Sequence, residues 1–154
     1  MKTLVVYDSA YGNTEKIARS IGDGIKGDVK VLQVNELNPS ELESLDLIIV
    51  GSPTQGFRAT KPIQAFIDSI PPDILKDTDI AAFDTRMPEK EVKMGLRLLM
   101  KVGGYAAPHI AEALKKKGGN QVIAPEGFFV NDKEGSLKEG EIERAATWGE
   151  SFTK

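Results

Sequence analysis

"LVVYDSAYGNTEKIARSIGDGI", residues 4–25, decides the fold. Leu4, Val5, Val6 and Tyr7 form a short, apolar, β-branched run, and Ile17, Ala18, Ile21 and Ile25 recur at helical spacing, so the stretch reads strand, loop, helix. Two glycine patterns, one of them ending two residues beyond it, compete for a phosphate. Gly22, Gly24 and Gly27 spell GxGxxG, but they fall at the far end of the helix, where glycine stops helices, and lack the strand-before, helix-after context that gives that pattern meaning. Residues 9–14 have that context. There the helix-opening amides, the Ser9 and Thr14 hydroxyls and the Asn13 amide could face an anion, with Gly12 letting the backbone close around it. The same residues also read as an ordinary Thr or Asn helix cap. A Walker A loop is excluded because Lys16 does not stand in a G-K-[ST] arrangement.

Working outward, residues 29–34 form a partly polar strand, 47–50 a strand apolar throughout, 80–83 a fourth and 122–124 a fifth. Pro62 suits the start of a helix whose inward stripe is Ile63, Phe66, Ile67 and Ile70; further helices are expected over 111–117 and 139–152. Strand and helix alternating in this way predict an α/β fold: three layers around a doubly wound, five-stranded parallel sheet in the order 2-1-3-4-5. The two less apolar strands would lie at its edges. Ligands of such sheets bind beyond the carboxyl ends of the strands at the switch point, which singles out the loops after strands one, three and four.

The 154 residues, 40% of them hydrophobic, are expected to form one domain over 1–154. Without cysteine there is no disulfide, thiol catalysis or iron–sulfur ligation, and one histidine argues against a metal site. A net charge of −3 is not that of a nucleic-acid binder, no apolar run approaches a bilayer span, and no signal peptide is evident, so a cytoplasmic protein is expected.

The stretches "YDSAYGNTEKIA", "GSPTQGFRAT", "AAFDTR" and "PEGFFV" resemble the flavodoxin family, in its short-chain type. The resemblance implies one non-covalent FMN. Its phosphate would lie in the loop of Ser9, Ala10, Tyr11, Gly12, Asn13 and Thr14, with Tyr11 where a hydroxyl residue is usual. Its ring would lie between Pro53, Thr54, Gln55, Gly56 and Phe57 on one side and Asp84, Thr85 and Arg86 on the other. It further implies that the Gly56 peptide can turn its carbonyl toward flavin N5 on reduction, a change cheap only for glycine. The function implied is a carrier of low-potential electrons between a reductase and an acceptor protein, with no catalytic residues or metal. The alternatives are an FMN enzyme of the quinone-reductase or protoporphyrinogen-oxidase type and an interaction module without flavin. The oligomeric state, monomer or weak dimer, is left open.

Some positions depart from the family pattern. Gln55 stands where an aromatic commonly stacks on the flavin and none lies within residues 84–87; Phe57, Met87, Tyr105 or Phe128 could substitute or could simply pack. Arg58 and Arg86 replace acidic or neutral positions and would make the second flavin couple less negative if they face it, or form solvated ion pairs if they do not. Residues 88–102 carry an amphipathic helical pattern with basic residues, which either packs on the domain or docks a partner or membrane face. His109 and Trp148 read as surface and packing residues. Asp8 invites a phosphoacceptor reading, excluded by the lack of an acidic residue after strand three and of a lysine after strand five.

Overall fold

The computed structural model describes residues 1–88, 104–132 and 135–153. In chain order these form β1 (Lys2–Tyr7), α1 (Asn13–Gly24), β2 (Asp28–Gln33), β3 (Leu47–Pro53), α2 (Lys61–Ser69), β4 (Asp79–Arg86), α3 (Ala106–Lys116), β5 (Asn120–Gln121), β6 (Glu126–Phe129) and α4 (Glu141–Glu150). The amphipathic pattern over 88–102 lies outside the described residues, except for Pro88.

The strands run parallel in the order β2-β1-β3-β4-β5, with β6 also on β4. Because side chains alternate across a strand, the continuous apolar runs feed two cores. Leu4, Val6, Ile48, Val50, Ile80 and Ala82 face one layer, which α2 and α3 complete with residues such as Ile63, Ile67, Ile110 and Leu114. Val5, Tyr7, Leu47, Ile49, Ala81 and Phe83 face the other, against Ile17, Ala18 and Ile21 of α1 and Ala145 and Trp148 of α4. The sheet is therefore the middle of three layers.

The expected fifth strand over 122–124 is corrected. β5 pairs Asp79 with Asn120 and β6 pairs Phe83 with Glu126, so four residues, 122–125, stand opposite only Ala81 and Ala82 and the ladder breaks between the pieces. Pro125 cannot donate to a ladder, and Val122 is 45% exposed. The helix expected over 111–117 begins earlier, at Ala106, because remote side chains cap it.

The GxGxxG glycines serve packing. A Cβ on Gly24 would lie 2.1 Å from the Ala146 carbonyl oxygen, and one on Gly149 would lie 2.2 Å from that of Ile21, so α1 and α4 meet backbone to backbone. Among the described residues no helix is long and apolar enough to cross a membrane.

Candidate functional site

The first loop leaves β1 at Asp8, whose carboxylate accepts the Ser9 amide at 2.9 Å and the Thr60 hydroxyl at 2.6 Å. Ser9 Oγ in turn accepts the Gly12 amide at 2.9 Å. Gly12 sits at φ +90° as the residue before α1, with no side-chain cap on the helix. The Thr or Asn cap is thereby ruled out: both residues lie inside the first turn, and their side chains are turned elsewhere. Thr14 and Thr85 share a hydroxyl–hydroxyl bond of 2.9 Å, and Asn13 Nδ2 donates to the Gly135 carbonyl at 2.6 Å. A helix that opens on uncapped amides carries its partial positive charge toward whatever lies beyond it.

In the second loop, Gln55 and Arg58 exchange backbone hydrogen bonds of 2.8 and 3.0 Å across a two-residue turn. Gly56 and Phe57 both have positive φ, 55° and 68°, the handedness that matches a twisted hairpin. Glycine accepts this without strain; phenylalanine does not. The turn aims Phe57 into a cavity.

In the third loop, Asp84 is fully buried and accepts two bonds from Arg86, Nε at 2.6 Å and Nη2 at 2.7 Å. It also accepts the Ala107 amide at 2.8 Å, while Thr54 Oγ1 accepts the Ala106 amide at 3.1 Å. Asp84 of β4 and Thr54, the residue after β3, thus cap α3. Burial drives the Asp84 carboxyl above the ordinary carboxylate range, against the opposing pull of Arg86, the Ala107 amide and Thr54. The Arg86 guanidinium lies 3.7 Å from the Tyr105 ring centre. Arg86 is therefore held in a part-buried ion pair with Asp84 rather than standing as a free cation, whereas Arg58 is exposed.

The three loops enclose a cavity of about 530 Å³ beyond the carboxyl ends of β1, β3 and β4. Ala10, Tyr11, Asn13 and Thr14 supply one wall; Pro53, Thr54, Gln55, Gly56 and Phe57 a second; Thr85 and Arg86 a third, continued by Met87. Of the residues singled out in the sequence, Ser9, Gly12 and Asp84 do not line it; Ser9 bonds the Gly12 amide, and Asp84 holds Arg86. Phe128 is corrected as a stacking candidate: it is fully buried with Phe83 and Trp148, at 6.1 Å from each. Tyr105 is occupied by Arg86.

Sequence reasoning missed Val130, which closes the fourth side. It pairs with Leu137 in an isolated antiparallel bridge, and its only sequence signal is the polar "NDKEGS" between two apolar residues. Also missed was the cover of the outer edge of β6. Glu141 Oε2 accepts the Phe129 amide at 2.7 Å, and Arg144 Nη2 donates to the Gly127 carbonyl at 2.6 Å, so side chains of α4 satisfy the groups a further strand would bind.

A three-layer, doubly wound α/β protein with one cavity at the switch point is the class these features define. The chain belongs to the flavodoxin domain family, whose model matches residues 4–129. It is 44% identical over 70 residues, 41% of this chain, to a protein named as a diflavin flavoprotein in Nostoc sp., of which that match spans 12%. It is 29% identical over 82 residues, 51% of this chain, to a flavodoxin of Aquifex aeolicus, spanning 44% of that protein. Among solved structures, a flavodoxin from the domain Archaea superposes with a TM-score of 0.75 at 24% identity, over 98% of this chain and 95% of that one, a likeness of fold.

Proposed function

We propose that the chain holds one FMN in this cavity and carries low-potential electrons between redox proteins, a reductase and an acceptor. The residues fit the group. The observation that carries the reading is the cavity itself: about 530 Å³, within the range of small-molecule sites, with an uncapped helix N-terminus on one wall and Tyr11, Phe57, Met87 and Val130 as apolar walls. The amides at the start of α1 would hold the phosphate, and Phe57 and Met87 would border the ring. Bound FMN supplies one- and two-electron redox chemistry.

The chain's own residues position rather than react. Among the described residues the cavity wall is made by neutral side chains and Arg86. Asp84 fixes Arg86 and the start of α3, keeping the guanidinium from swinging across the opening.

Visible absorbance of the purified protein, followed by calorimetric titration with FMN, tests the reading. One flavin per chain is expected, with two resolved one-electron steps on reductive titration. Colourless protein that gives no heat with FMN overturns it, and rapid nicotinamide oxidation with a quinone acceptor would assign an enzyme instead.

A further inference from the structure

Among the described residues Arg86 brings the charge to the cavity wall, and its neighbours fix how it stands there. Asp84, fully buried and not part of the wall, accepts Nε at 2.6 Å and Nη2 at 2.7 Å. The Ala107 amide, donating to Asp84 at 2.8 Å, anchors that carboxylate in turn. The Tyr105 ring centre lies 3.7 Å from Arg86 Cζ. Gly127 of β6 packs so closely that a Cβ on it would stand 2.2 Å from Nε and 2.3 Å from Cζ, and any side chain there would displace the guanidinium. Carboxylate, ring and strand together hold the cation in place. The pair carries no net charge, yet it is not symmetric: its positive end is on the wall and its negative end is in the interior.

We propose that the Asp84–Arg86 pair is a charge selector: Arg86 offers its positive end to the ligand, so the site holds an anionic ring more tightly than a neutral one and raises the potential of the flavin it binds. The inference rests on the cofactor reading above. Reduction by two electrons with uptake of one proton leaves the FMN ring with a negative charge that the oxidised ring lacks. Coulomb attraction falls with distance, so a ligand on the wall feels Arg86 more strongly than Asp84. A hydrogen bond to a charged group sets the scale, about tenfold in affinity for the reduced over the oxidised form. Tenfold moves a one-electron couple by about 59 mV. Asp84 is thus both the anchor of the cation and the brake on its effect.

The test measures dissociation constants of oxidised and fully reduced FMN for wild type, Arg86→Gln and Asp84→Asn in mildly alkaline buffer, where the reduced ring is anionic, with potentials read on a mediated electrode. Arg86→Gln should lower the ratio of the oxidised to the reduced constant about tenfold, moving the step that forms the anion about 59 mV more negative. Asp84→Asn, which leaves Arg86 unbalanced, should move the ratio the other way. Opposite signs separate a charge effect from lost packing, which weakens both forms alike. An unchanged ratio in Arg86→Gln overturns the selector, as does a shift of both variants in one direction. Equal weakening of oxidised and reduced FMN also overturns it and makes Arg86 a phosphate ligand or a packing group. Should Asp84→Asn not fold, Arg86→Lys takes its place: a ratio above that of Arg86→Gln supports the selector, and an equal ratio overturns it. If wild type binds no flavin, the cofactor reading fails and the selector with it; flavin bound with ratios that do not change sinks the selector alone.

Discussion

Phe57 shows how one residue can be set against its own preference. At φ 68° it occupies a left-handed conformation that costs an L-residue about 1–2 kcal/mol, part of which glycine would recover. Phe57→Gly is expected to leave stability unchanged or raise it by up to about 1 kcal/mol in urea unfolding, while weakening FMN in calorimetry, because the ring on the cavity wall is gone. Glu141 carries the clearest pH signature. Burial works against its ionisation, but the Arg144 side-chain bond, the Phe129 amide and the Arg144 charge together hold its carboxyl below the ordinary value. A depressed carboxyl contributes stability that is complete above its unfolded pKa, about 4.3, and is lost as pH falls through the folded one. Glu141→Gln should therefore cost about 1.5–3 kcal/mol at pH 7 and progressively less below pH 4, measured by urea midpoints across pH.

At the scale of elements, helix ends and helix contacts decide the arrangement. Ala106 and Ala107 are apolar and carry no capping signal, yet α3 begins there because Thr54 Oγ1 and Asp84 Oδ2 accept its first two amides. The expected start at 111 was too late for that reason: the caps are 52 and 23 residues away in the chain. The α1/α4 contact is set by Gly24 and Gly149. Gly149→Ala places a Cβ 2.2 Å from the Ile21 carbonyl oxygen, backbone that cannot rotate aside. It should force the helices apart at a cost of about 1–3 kcal/mol in chemical denaturation, with the loss partly shared with Gly24→Ala in a double mutant.

For the whole molecule, both cores hang on the same sheet, and the cavity opens where the strand order reverses between β1 and β3. Its walls come from residues 10, 11, 13 and 14, 53–57, 85–87 and 130, which meet only when β1, β3 and β4 are side by side. A ligand that binds only this assembled form stabilises it by mass action. FMN at about a hundred times its Kd should add about 2.7 kcal/mol, raising the thermal midpoint by roughly 5–10 °C in a scan, whereas adenosine monophosphate at equal concentration should add little.

The order of elements, the central strands and the three loops that line the cavity were legible in the sequence, because hydrophobic period and turn chemistry are local and each loop follows its own apolar strand. The break in the fifth strand was not, since the apolar residues 122–124 look like a strand whether or not a partner is in register. Nor could the sequence assign the polar side chains within the site. Asn13, Thr14 and Thr54 each carry groups able to bind an anion, cap a helix or pair with a neighbour, and the choice fell to partners 122, 71 and 52 residues distant. Side-chain hydrogen bonds go to whatever group folding brings within about 3 Å, and that proximity exists only in the tertiary structure.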